Sequence, residues 1–111
     1  MKEIKMKYRG KTLSIYPEGE LDHHTVRDIR LACDPEIARL SPEVIELDFS
    51  GVSFMDSSGI GLILGRKNAA DSIGAKVVLS GLCPRLLRIV TLSGVLRLEG
   101  ISLADKGGSE K

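Results

Sequence analysis

A single α/β domain, a small mixed β-sheet with helices packed largely on one side, is the fold class this sequence predicts. Two short β-rich runs, "VIELDF" at 44–49 and "KVVLSG" at 76–81, flank a segment of helical length, which implies a right-handed parallel strand-helix-strand crossover. Apolar residues at helical spacing recur between Val26 and Leu40 and again between Leu86 and Val90. At 111 residues, 42% hydrophobic and 28% charged, the chain has the size and composition of one ordinary globular domain.

Taken in order, Lys5 to Arg9 and Thr12 to Tyr16 alternate apolar and polar residues around "RGK" and predict a β-hairpin or two neighbouring short strands. "PEGELDHH" breaks the alternation and reads as a loop. Thr25 and Asp28 form a capping-box-like pair, and Val26, Ile29, Cys33, Ile37 and Leu40 follow at helical spacing. Pro35 is expected to interrupt this helix, with Asp34-Pro35-Glu36 suited to restarting it. The crossover helix runs from Ser57 to about Ser72, with Ile60, Ile63, Leu64 and Ala70 on one side. Gly61 and Gly65, four apart on that helix, share a face and are expected to let another backbone approach closely. Pro84 starts a further helix that Gly94 ends, and "LRLEGISL" predicts a last short strand. Residues 105–111, within "ADKGGSEK", are too polar and glycine-rich to pack and are expected as a disordered tail behind a domain of residues 1–104.

Composition excludes several classes of function. A formal net charge of +1 argues against a protein built to neutralise a nucleic-acid backbone. No apolar segment follows the N-terminal lysines, and no apolar run approaches the roughly 18 residues needed to span a bilayer, so a cytoplasmic protein without membrane contact is expected. Charge is uneven along the chain: Lys2, Lys5, Lys7, Arg9 and Lys11 crowd the start, whereas residues 18–48 are rich in Asp and Glu. That acidic stretch reads either as solvated strand and helix faces or as a surface that meets a basic partner. Cys33 and Cys83 lack any C-x-x-C spacing and read as small core residues rather than a disulfide framework.

The candidate chemistry centres on "FMDSSGIGLILG", residues 54–65. His23 and His24 are the only histidines; adjacent in an extended segment, they would diverge, so neither a metal nor a cofactor is expected. The glycines match neither G-x-x-x-x-G-K-[ST] nor G-x-G-x-x-G, which excludes a nucleotide fingerprint. M-D-S-S-G is not the G-x-S-x-G of a nucleophile elbow, so no catalytic residue is assigned. Ser57 or Ser58 instead occupies the cap or first turn of a helix, where free N–H groups and the macrodipole tolerate added negative charge. Simple capping by both serines is the plainer alternative. The glycines at 59 and 61 imply close approach, by a packed strand or by a modifying enzyme.

"GELDHHT" (19–25) followed by "DFSGVSFMDSSGIGLILGRKNAA" (48–70) resembles the anti-sigma factor antagonists of the STAS-domain family (sulfate transporter and anti-sigma factor antagonist), over about Ile4 to Leu98. The resemblance implies a STAS-like fold and a non-enzymatic switch. In that family the unphosphorylated protein binds an anti-sigma factor that is also a serine kinase, releasing the sigma factor. Phosphorylation of the first serine of D-S-[ST]-G ends the interaction, and a metal-dependent serine phosphatase restores it. Carried over, the phosphoacceptor is Ser57, and Asp22, His23, His24, Thr25, Asp56, Ser58, Gly59, Ile60 and Gly61 lie near it or at the partner surface. Asp-His-His-Thr leans towards sporulation rather than general stress, and a monomer is expected. Pro35 and the lack of a C-terminal helix depart from the family pattern. A STAS interaction or scaffold module not controlled by phosphorylation is the alternative.

Overall fold

Gly10 and Lys11 both take positive φ, +59° and +67°, and so close a two-residue hairpin between β1 (Lys5–Arg9) and β2 (Thr12–Tyr16) with the turn handedness that matches strand twist. This computed structural model describes residues 3–104; the expected tail at 105–111 lies outside the described residues. The remaining elements are β3 (Glu18–Leu21), α1 (His23–Leu40), β4 (Val44–Asp48), β5 (Gly51–Met55), α2 (Ser57–Ile73), β6 (Lys76–Ser80), α3 (Pro84–Ser93), a single 3-10 turn at Val95–Arg97 and β7 (Ile101–Leu103). Five strands form a mixed sheet in the order β1-β2-β4-β6-β7, antiparallel only at β1-β2. The crossover through α2 therefore joins parallel neighbours, as its strand-helix-strand pattern requires.

Alternation along the central strands builds the core. Leu13, Ile15, Ile45, Leu47, Val77 and Leu79 are buried in one cluster with Ile29, Cys33, Leu62, Ile63, Leu86 and Val90 of the helices. Each such side chain contributes about 1.5–3 kcal/mol on burial. On the opposite face Glu46 accepts hydrogen bonds from Ser14 Oγ and Ser80 Oγ, each at 2.7 Å, which satisfies a polar row with no helix residue in it.

Several expectations are corrected. "PEGELDHH" is not a loop: β3 continues the chain beyond β2 and pairs in parallel with β5, a strand that the sequence reading missed. These two form their own ladder, and each leads directly into a helix. Helix α1 runs unbroken through Pro35, because neighbouring turns and the packing of Ile29, Cys33 and Ile37 hold it where one backbone hydrogen bond is lost. Its cap is Asp22, not the Thr25/Asp28 pair, and it starts two residues before Thr25. Cys83 is exposed at the start of α3, whereas Cys33 is fully buried and burial pushes its thiol up to about 11. On α2 the inward stripe is Gly59, Leu62, Ile63, Arg66 and Ala70; Leu64 faces outward because Ile60, Leu62, Ile63 and Leu64 are consecutive enough to point in most directions, and only packing chooses between them.

Candidate functional site at two helix N-termini

Register brings the candidate residues together. In the β3-β5 ladder Leu21 lies opposite Met55, so the next residues, Asp22 and Asp56, leave neighbouring parallel strands side by side. Each then caps a helix: Asp22 Oδ1 accepts from the Thr25 amide at 2.9 Å, and Asp56 Oδ1 accepts from the Ser58 amide at 2.8 Å. The hydrogen bond from the Thr25 amide holds the Asp22 carboxyl below its ordinary value, against an opposing contribution from desolvation. Two helices therefore begin next to each other, and their positive ends face the same region.

Ser57 occupies the first position of α2 and is exposed. Capping belongs to Asp56, so the alternative in which the serines cap the helix does not hold. Ser58 contributes its amide to that cap and is half-buried, with Ile60 partly buried against the core. His23 and His24 do not diverge: in the first turn of α1 their ring centroids lie 4.1 Å apart. Among the described residues, no group of three or more His, Cys, Asp or Glu is arranged to hold a metal ion.

The glycines differ from one another. A Cβ on Gly59 would lie 2.6 Å from Met55 Sδ and 2.9 Å from Met55 Cβ, so the close approach at this position is made by the last side chain of β5. At Gly61 and Gly65 a Cβ would meet nothing within 4 Å among the described residues, so the expected backbone approach is not made there by any of them. Gly59→Ala should therefore destabilise the protein by about 1–2 kcal/mol, while Gly61→Ala should stabilise it by about 0.5–1 kcal/mol. Urea unfolding of the two variants reads both, and shifts of the same sign would rule out the Met55 contact as the reason for Gly59.

Helix α1 separates two surfaces of opposite sign. On one side Glu18, Glu20, Asp22, Thr25 and Asp28 line a cavity of about 320 Å³, which gathers part of the acidic stretch. On the other, His23, Val26, Arg27 and Arg30 of α1 face Ser58 and Gly61 of α2 across a groove of about 230 Å³. Deeper between the same helices Arg66 is buried and reaches Asp34 Oδ1 at 3.2 Å. Arg27, Arg30 and Arg66 were not among the residues singled out from the sequence, and Asp34 was read there only as the start of a second helical segment. Arg27 and Arg30 follow His23 at i+4 and i+7, a signal that becomes readable only once α1 is known to start at His23.

The STAS-domain family model matches residues 3–105. The chain belongs to the STAS-domain family. An anti-sigma F factor antagonist from Paenibacillus polymyxa is 34% identical to this STAS domain over 96 residues, 86% of this chain and 82% of the relative. The anti-sigma factor antagonist SpoIIAA in its unphosphorylated form is a structural neighbour with a TM-score of 0.72 and 28% identity, covering 97% of this chain and 93% of that one. The phosphorylated form of the Bacillus cell fate determinant SpoIIAA matches with a TM-score of 0.70 and 29% identity over 96% of each chain. Relatives of this STAS domain are thus regulatory binding proteins. Among its described residues, no helix is long and apolar enough to cross a membrane.

Proposed function

We propose that this STAS domain is an anti-sigma factor antagonist switched by phosphorylation at Ser57. Unphosphorylated, it binds an anti-sigma factor that is also a serine kinase, and so frees the sigma factor. The kinase transfers the γ-phosphoryl group of ATP to Ser57 Oγ, releasing ADP and the hydroxyl proton, and the product no longer docks. A serine phosphatase reverses the change. The domain itself catalyses nothing in this cycle, acts as a monomer in the cytoplasm and belongs to sporulation control.

One observation carries the reading: an exposed serine stands at the first position of a helix whose cap is already supplied by Asp56. It therefore has no structural duty that a phosphate would disturb, and the adjacent helix ends favour the added charge of about −1.5 to −2. The similarity to anti-sigma F factor antagonists supplies the partner class. Asp22, His23, His24, Thr25, Ser58 and the outward side of α2 with Gly61 form the docking surface. Half-exposed Phe54, three residues before Ser57, adds an apolar anchor of the kind that dominates interface energetics.

Incubation with the cognate anti-sigma kinase and ATP is expected to add a single phosphate, mapped to Ser57 by mass spectrometry. Phosphate on Ser58 alone would sink the site assignment. Partner binding with no phosphate on either serine would leave the unregulated STAS interaction module as the better account.

A further inference from the structure

We propose that the phosphate on Ser57 folds back into the groove between α1 and α2 and is neutralised there by Arg27 and Arg30. The inference rests on Ser57 as the phosphoacceptor. It concerns where the phosphate goes and what that does to the docking surface.

Three observations converge on this groove. First, its α1 wall carries two guanidinium groups: Arg27 and Arg30 lie on the helix face that begins at His23, at i+4 and i+7 from it. Among the described residues Arg27 and Arg30 enter no ion pair or hydrogen bond, as is also true of Arg9, Arg88 and Arg97; what distinguishes Arg27 and Arg30 is that they line this groove together. Second, the α2 wall contains Ser58 and Gly61, the residue next to Ser57 and the residue one turn on, so Ser57 stands at the groove's edge. Third, Gly61 leaves that wall without a side chain, and space of about 230 Å³ remains between the helices. Helical side chains lean towards the helix N-terminus, so Arg27 and Arg30 lean along the groove towards the end of α1 that begins at His23.

The consequence deepens the switch. Unphosphorylated, the groove is open and positively charged beside the docking surface. Once Ser57 is phosphorylated, the group fills the groove and cancels those charges, so a partner loses both the cavity and its cations. Asp22 and Asp56 cap the two helices beside the same edge, and their carboxylates oppose the second ionisation of the phosphate. Arg27, Arg30 and the helix ends favour it.

The test installs phosphoserine at position 57 during synthesis of the full chain, so that it depends on no kinase. A phosphate monoester loses its second proton at about pH 6. In the phosphorylated protein, ³¹P NMR titration should place this ionisation about one pH unit lower, a tenfold change in proton affinity. The exposed pair Arg27→Gln/Arg30→Gln should recover at least half of the shift, and Arg39→Gln on the same helix should recover none. Phosphorylation should also raise the melting temperature of the parent protein but not of the double variant. An ionisation unchanged by Arg27→Gln/Arg30→Gln would overturn the proposal and assign the phosphate to the helix ends alone. Failure of the kinase to modify Ser57 would count against the proposed function and leave this titration standing.

Discussion

Ser57→Asp is expected to bind the anti-sigma factor at least about tenfold more weakly than the parent protein, a loss of roughly 1.4 kcal/mol, while Ser57→Ala keeps binding within about twofold. The asymmetry follows from the position of the residue. Ser57 is exposed, and the hydrogen bond that caps α2 comes from Asp56, so removing the hydroxyl takes nothing from the fold. Adding a carboxylate places charge in the docking surface. Aspartate carries less charge than a phosphate, so the phosphorylated protein should lose more affinity than Ser57→Asp. The alanine variant should also resist inactivation by kinase and ATP. Calorimetric titration of both variants decides the matter: equal affinities would mean that charge at residue 57 does not control docking.

Asp34→Ala should destabilise the protein by about 2 kcal/mol, whereas Arg66→Met should leave its stability within about 1 kcal/mol or increase it. Arg66 is only 4% exposed at its side chain, and its Nη2 lies 3.2 Å and 3.4 Å from the two carboxylate oxygens of Asp34. Its Nε and Nη1 are buried and make no hydrogen bond among the described residues. Losing the aspartate leaves the guanidinium buried without its counter-charge, the costly case; replacing the guanidinium with an apolar side chain removes both the charge and its unsatisfied donors. Asp34 is 48% exposed at its side chain, which places the expected cost below that of a fully buried pair. Denaturant unfolding of the two single variants and the double variant separates the terms. A stable Asp34→Ala together with a strongly destabilised Arg66→Met would show that packing of the arginine, not its ion pair, holds α1 against α2.

The candidate site was legible where its chemistry is local. Asp-Ser-Ser-Gly after a β-rich stretch located a helix start, and with "GELDHHT" it led to the STAS family that the match over residues 3–105 establishes. The same local reading failed where a partner distant in sequence decides. Asp22 is a capping residue only if β3 precedes it, and β3 exists because β5 offers a parallel neighbour more than thirty residues away. "EGEL" and "GVSFM" are individually weak strands, short and glycine-bearing. Cys83 departs from the usual burial of cysteine because its place at the head of α3 depends on the turn after β6.

Element type and order therefore came largely from local physics: hydrophobic period, proline at a helix start, glycine at a helix end and paired positive-φ residues in a hairpin each act within a few residues of chain. The parallel crossover through α2 was implied at that level because a helix between two strands leaves little other choice. Tertiary structure alone decided which face of α2 is buried, which glycine is crowded and which residues border Ser57. The register of Leu21 with Met55 aligned two helix starts, and the packing of α1 on α2 left Arg27, Arg30 and Gly61 around an open groove while burying Arg66 behind it. These outcomes depend on contacts between segments far apart in the chain, whose energies no short window of sequence contains.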